Sequence, residues 1–196
     1  QTKDDTVVYA LQSDIDTWDP PNSVLREAII LGYHVFDHLA TRDLKTRRVI
    51  PSLATSWKNI DDTTWEVKLR QNVKFHDGSP FTAKDVKASF ERVLDPAKKM
   101  TARGNHAKIK GVDIIDDHTV RFRTDGPYPL FVERMTALVM HSEKVLREKL
   151  QHLDVISLGR KADVVFLLRS MDAQVPATRA GVTRAALVDA EDGTVY

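Results

Sequence analysis

The 196-residue sequence contains no cysteine. That absence excludes a disulfide framework, thiol catalysis, Cys-ligated zinc and a lipid-modified N-terminal cysteine, while leaving the redox compartment open. Long apolar runs are missing too. No stretch free of Asp, Glu, Lys and Arg exceeds nine residues, for example Ala28 to Phe36, against the roughly twenty apolar positions of a bilayer-spanning helix. Nor is there an excess of either charge, since 29 basic side chains face 28 acidic ones for a net +1. Nucleic acid and anionic membranes are held by many uncompensated Lys and Arg, so no nucleic-acid partner is expected. A G-x-S-x-G elbow, a Walker loop and a G-x-G-x-x-G turn are all absent, which leaves no locatable catalytic residue and no cofactor motif. The chain does not read as an enzyme.

What is present is an ordinary globular composition, 42% hydrophobic and 29% charged, in a chain long enough to bury roughly 70% of its unfolded surface without staples. Thr6 to Leu11 reads as a short buried strand running into the turn-rich SDIDTWDPPNS. From Ser23, the positions Val24, Ala28, Leu31, Val35 and Leu39 recur at helical spacing, with Asn22 or Ser23 as cap and Gly32 as a close-packing point. Trp65, Val67 and Leu69 alternate with charged residues behind the turn at Asp61 and Asp62, a hairpin signal. Val73 to Phe75 is strand-like and closes on His76-Asp77-Gly78-Ser79-Pro80.

Thr82 with Asp85 three positions later predicts a capping box, and Val86, Phe90, Val93 and Leu94 form the inward stripe of its helix. A second hairpin runs from Ile109 to Ile115, turns at Asp116-Asp117 and returns through Val120 and Phe122. Pro127 and Pro129 open an apolar helix through Leu130, Phe131, Met135 and Leu138, and Ser142 caps another beginning at Glu143. The texture changes beyond about Glu148, where only Phe166 and Tyr196 of the aromatic residues remain. Three apolar runs in 149–196 are consistent with strands. The fold class is α+β, mixed α/β.

Residues 14 to 92 carry DIDTWDP, then VFDHLATRD, then IPSLATSWKNIDDTTWEVKLRQNVKFHDGSPFTAKDVKASFERV, with VDIIDDHTVRFRT later. This order closely resembles the periplasmic solute-binding proteins of peptide-type ABC importers, which take up peptides, nickel complexes and opines. The resemblance implies a periplasmic-binding-protein-like lobe, with 1–148 as the N-terminal lobe and an accessory subdomain at about 45–140; 149–196 departs from the family pattern and reads as an atypical tail, either completing the lobe with strands or unrelated to it. Such proteins are usually well over twice this length, so the chain is expected to be truncated relative to the two-lobed family. A solute such as a peptide or opine, an inner-membrane ABC permease, and a periplasmic location with the signal peptide removed follow from the same resemblance. The start at Gln1 rather than Met agrees with such removal. The signature itself reads as packing: Trp57, Trp65, Phe75, Phe81 and Phe90 are core aromatics.

In the family the loop after the first strand faces the solute. Ser13, Asp14, Asp16, Thr17 and Trp18 are therefore the candidate ligand-binding residues, Trp18 as an apolar wall and Asp14 or Asp16 as partners for a cationic or amine group. The competing reading is that Asp16 and Asp19 only close the turn while Trp18 packs inside. His34 and His38, four apart on the predicted helix, would share a face as in helical zinc sites. Val35 stands where a metal hydrolase would place Glu, and no third ligand follows by spacing, so plain helix histidines and no metal are expected. Two alternatives to a solute-binding component remain: a non-binding remnant that folds or forms a homodimer through surface left uncovered, and a metal-dependent hydrolase using His34 and His38.

Overall fold

The computed structural model describes residues 16, 17 and 19–147. The expected strand at Thr6 to Leu11 and the expected strands in 149–196 lie outside the described residues. Among the described residues the first elements are a 3-10 turn, Pro20–Asn22, and helix α1, Arg26–Val35. The short strands β1, Ala40–Arg42, and β2, Val49–Pro51, pair antiparallel. The hairpin β3, Ala54–Asp61, and β4, Thr64–Leu69, leads to helix α2, Ala83–Leu94. A one-turn helix α3, Arg103–His106, precedes the second hairpin, β5, Ile109–Asp116, and β6, Thr119–Thr124. The short helices α4, Phe131–Arg134, and α5, Glu143–Arg147, follow.

The two hairpins merge. Strands β4 and β6 pair with Val67 opposite Val120 and Trp65 opposite Phe122, giving one antiparallel sheet in the order β3-β4-β6-β5. Alternation explains its two faces: Val67, Leu69, Val112, Val120 and Phe122 are buried. The other face carries ion pairs between neighbouring strands, Arg121 with Glu66 at 2.9 Å and Arg123 with Asp113 at 2.7 Å. Both hairpin turns close on their first aspartate. Asp61 accepts the Thr63 N–H at 2.8 Å and Asp116 accepts the His118 N–H at 2.8 Å, local bonds of the kind that favour Asp in turns.

Helix α2 covers the buried face. Its stripe Val86, Phe90 and Val93 is fully buried, and the Phe90 ring meets Phe122 edge-on with centroids 4.9 Å apart. Phe131 closes the end of this core, stacked on Trp65 at 4.9 Å. Phe75, Phe81 and Phe90 are buried and Trp57 and Trp65 pack against the core half-buried, so the signature aromatics are core residues. The turn before α2 follows its sequence as well: Gly78 takes φ +81°, and the Asp77 carboxylate accepts the Ser79 N–H at 2.9 Å.

The capping box at Thr82 is present. The Thr82 hydroxyl accepts the Lys84 N–H at 3.3 Å while Asp85 accepts the Thr82 N–H at 2.7 Å. Asp85 has a second duty that the spacing did not signal. Its other oxygen accepts the Glu143 N–H at 2.8 Å, so one carboxylate serves the N-termini of both α2 and α5. Burial pushes its pKa up in spite of these bonds.

Three expected elements differ. The helix expected from Ser23 through Leu39 begins only at Arg26, without a side-chain cap, and stops at Val35. The one expected through Leu138 stops at Arg134. Both stop for the same reason: the segments that follow them pair with each other. His38 forms an antiparallel bridge with Val139, the Met140 N–H bonds the Asp37 carbonyl at 3.0 Å, and the Ala40 N–H bonds the Met135 carbonyl at 3.3 Å. Backbone groups taken up in this way cannot also close helical turns. Val73 to Phe75 is reduced to a single bridge, Lys74 to Pro80.

Replacing Asp85 with Ala removes the acceptor for two helix starts, so it costs about 2 kcal/mol against about 1 kcal/mol for Thr82→Ala. Urea unfolding of the two variants checks this; equal losses would mean that the bond to Glu143 contributes nothing.

Candidate functional site

The segment from Asp16 to Ser23 is held by its own side chains first. Asp16 accepts the Ser23 hydroxyl at 2.6 Å, the Ser23 oxygen accepts the Leu25 N–H at 2.9 Å, and the Thr17 oxygen accepts the Asp19 N–H at 3.1 Å. Asp16 thus spends one carboxylate oxygen inside the loop while remaining exposed, and Thr17 is half-buried. Ser13, Asp14 and Trp18 lie outside the described residues. Two further bonds fix the far end of the loop: the Ala102 N–H to the Pro21 carbonyl at 2.9 Å and the Thr101 hydroxyl to the Asn22 carbonyl at 3.1 Å.

The firmest attachment is an ion pair. Arg92, on α2, grips Asp19 with both terminal nitrogens, Nη1 to Oδ1 at 2.9 Å and Nη2 to Oδ2. Both side chains are largely buried, 12% and 17% exposed, where a two-pronged Arg-carboxylate bond counts for more than at the surface. His141 lies beneath it, with Nε2 3.7 Å from Asp19 Oδ1. The backbone of His141 is held by a single hydroxyl, for Ser89 accepts its N–H at 2.9 Å and donates to its carbonyl at 3.3 Å. Sequence reasoning gave Asp19 only a turn role and passed over Ser89, Arg92 and His141. A signal existed: 85, 89 and 92 fall on one helical stripe, next to the apolar stripe 86, 90 and 93.

On the other side of the same loop, Pro20, Pro21 and Val24 form one wall of a cleft of about 280 Å³, closed by Tyr33 of α1, Asn105 of α3 and Val139. Gly32 lets α1 approach this wall, since a Cβ there would come within 2.7 Å of the Pro20 ring. His38 also lines the cleft. It does not share a helix face with His34, because α1 has ended at Val35; its ring stacks on Tyr33 at 4.6 Å. No group of three His, Cys, Asp or Glu side chains arranged to hold a metal occurs among the described residues. The arrangement places a carboxylate-bearing loop, tied by its own bonds, beside a cleft lined by uncharged side chains and His38.

A family model described as "Bacterial extracellular solute-binding proteins, family 5 Middle" matches residues 48–163, a span containing the whole four-stranded sheet and α2. The chain belongs to the family 5 extracellular solute-binding proteins. Within that family it is 33% identical over 129 residues to the glutathione-binding protein GsiB of Escherichia coli (strain K12), covering 64% of this chain and 25% of that protein. It is 31% identical over 143 residues to the periplasmic murein peptide-binding protein MppA of the same organism, covering 64% and 26%.

Solved family structures superpose as well. NikZ from Campylobacter jejuni in complex with Ni(L-His) gives a TM-score of 0.60 at 28% identity, over 70% of this chain and 27% of that one. DppA from Helicobacter pylori in complex with peptide STSA gives 0.66 at 26% identity, over 84% and 39%. The chain spans about a quarter of the length of the curated family 5 relatives it matches.

Three buried imidazoles give this family 5 unit an acid limit. Burial pushes the pKa of His38, His106 and His141 from 6.5 down to about 4, helped at His106 by the Arg134 charge and opposed at His141 by Asp19. The unfolded chain therefore takes up protons that the folded one refuses. Their contribution to stability is complete above pH 6.5 and is lost as pH falls toward 4. Each shift amounts to on the order of 3 kcal/mol. All three act in the same direction, so stability is expected to fall as pH drops from 6.5 toward 4. His106 is the clean probe because neither ring nitrogen has a hydrogen-bond partner among the described residues. His106→Leu should move the midpoint, read by circular dichroism against pH, to lower pH; an unmoved midpoint contradicts this account.

Proposed function

We propose that this chain acts in solute capture for an ABC importer, with the loop carrying Ser13, Asp14, Asp16, Thr17 and Trp18 facing a peptide or related small solute. Family membership carries the reading. The relatives' named ligands, glutathione, murein peptide, peptide STSA and Ni(L-His), favour a solute built from amino acids. In this reading residues 1–148 form the N-terminal lobe, about 45–140 its accessory subdomain, and the protein works outside the inner membrane and hands solute to a permease. Binding proceeds by enclosure and population shift, with no bond broken.

The fixed loop supports this reading. Asp16 and Thr17 sit on a segment attached at both ends, by Asp19 to α2 and by Pro21 and Asn22 to the stretch before α3. A loop ordered before the solute arrives loses less entropy on binding. Asp16 supplies a carboxylate suited to the ammonium end of a peptide. Its neighbour across the loop, Ser23, already holds one of its oxygens in place.

Thermal-shift measurement with di- and tripeptides, glutathione, opines and nickel-histidine tests the proposal. A solute at a hundred times its Kd adds about 2.7 kcal/mol, which raises Tm by about 5–10 °C in a chain of this size. Asp16→Asn should weaken binding of an amine-bearing solute about tenfold. A flat response to the whole panel rejects the proposal.

A further inference from the structure

We infer that Arg92 is a positioning residue for solute recognition: from the accessory helix it holds Asp19, and through Asp19 it sets the place of Asp16 and Thr17. The inference rests on the solute-facing reading of that loop. Arg92 lies outside the loop, 73 residues along the chain from its partner, and its side chain is largely covered, so its effect is through Asp19.

Three observations make the pair a joint rather than a chance contact. The geometry is two-pronged, each guanidinium nitrogen meeting its own carboxylate oxygen, which fixes orientation as well as distance. The pair sits at the end of a stripe whose other members are also engaged with distant backbone, Asp85 with the Glu143 N–H and Ser89 with both backbone groups of His141. Finally, among the described residues Arg92 supplies the hydrogen bonds that reach the leading end of the loop from a distant element. The bonds from Ala102 and Thr101 hold Pro21 and Asn22, whereas the other hydrogen bonds described for Asp16, Thr17 and Asp19 stay within the loop, to one another, to Asn22 and to Ser23, and His141 Nε2 approaches Asp19 only to 3.7 Å. Releasing Arg92 therefore frees the leading half of the loop and leaves the trailing half attached.

A Lys at 92 would supply the charge without the fork, so it should restore only part of the function. The pair also joins the stretch after the expected first strand to the accessory part of the fold, so that solute contacts at the loop and packing on the sheet share one helix.

The test uses the full chain and compares Arg92→Met, Arg92→Lys and Asp19→Asn with the parent. Amide hydrogen exchange reads the loop directly. In Arg92→Met the amide of Asp19, which bonds Thr17, and that of Asn22, which bonds the carbonyl of the released Asp19, should exchange at least tenfold faster, while those of Ala102 and Phe122 keep their rates; a general loss of stability would speed all four. Solute affinity, measured by calorimetry with the member of the peptide panel that the parent binds, should fall at least tenfold in Arg92→Met. Arg92→Lys should recover part of that loss. Asp19→Asn combined with Arg92→Met should be no worse than Arg92→Met alone. Unchanged Asp19 and Asn22 exchange overturns the inference, as does an affinity within twofold of the parent, and the latter leaves solute binding itself standing. A parent chain that binds no member of the panel overturns both together, which separates that failure from the others.

Discussion

Helix α2 must satisfy two surfaces at once, and the rest of the structure is arranged around how it does so. Residues 86, 90 and 93 face the sheet and bury Val86, Phe90 and Val93. One position earlier, about 100° around the axis, residues 85, 89 and 92 face chain that arrives from elsewhere: the start of α5, the backbone of His141, and Asp19. Buried polar side chains cost free energy unless they are bonded. Each of these three is bonded, and each partner is distant in sequence, by 58, 52 and 73 residues. The helix must therefore pack on the sheet and bond the closing segment and the leading loop as well.

That requirement explains which parts of the fold were legible in the sequence. The hairpins were, because alternation at Trp65, Val67 and Leu69 and Asp-led turns are local signals. So was the capping box, whose two residues lie three apart. The joining of the hairpins through β4 and β6 was not, since nothing local decides which strand edges meet. The ends of α1 and α4 were misplaced because apolar periodicity continues past both, through Leu39 and Leu138. The competing demand is the pairing of 37–40 with 135–140, which no window of one helix can contain.

The site followed the same division. The loop was marked by its turn residues and by family resemblance, and its internal bonds from Asp16, Thr17 and Ser23 are the short-range kind that such residues make. Arg92 looked like one surface charge among many. Only its stripe partners, Asp85 and Ser89, distinguish it, and a polar stripe beside an apolar one is the pattern to look for when a short helix must hold two things. His38 and His141 were equally opaque: an imidazole in sequence carries no mark of burial, and here His38 stacks on Tyr33 while His141 lies between the Phe36 ring and the Asp19 carboxylate.

A protein that works by enclosing its solute gains from having its contact surfaces ordered beforehand, because each loop residue that must be immobilised on binding subtracts from affinity. In this chain the described loop residues are held by an ion pair to a helix packed on the core and by two donors from the stretch before α3, the Ala102 N–H and the Thr101 hydroxyl. The buried setting of Arg92 and Asp19 matters for that, since an exposed pair would be screened and weak. The same burial carries a hazard. Removing one partner leaves the other charge covered and unpaired, which is far more disruptive than removing both. A joint of this kind is therefore constrained: a change at either residue leaves a covered, unpaired charge unless the other changes with it.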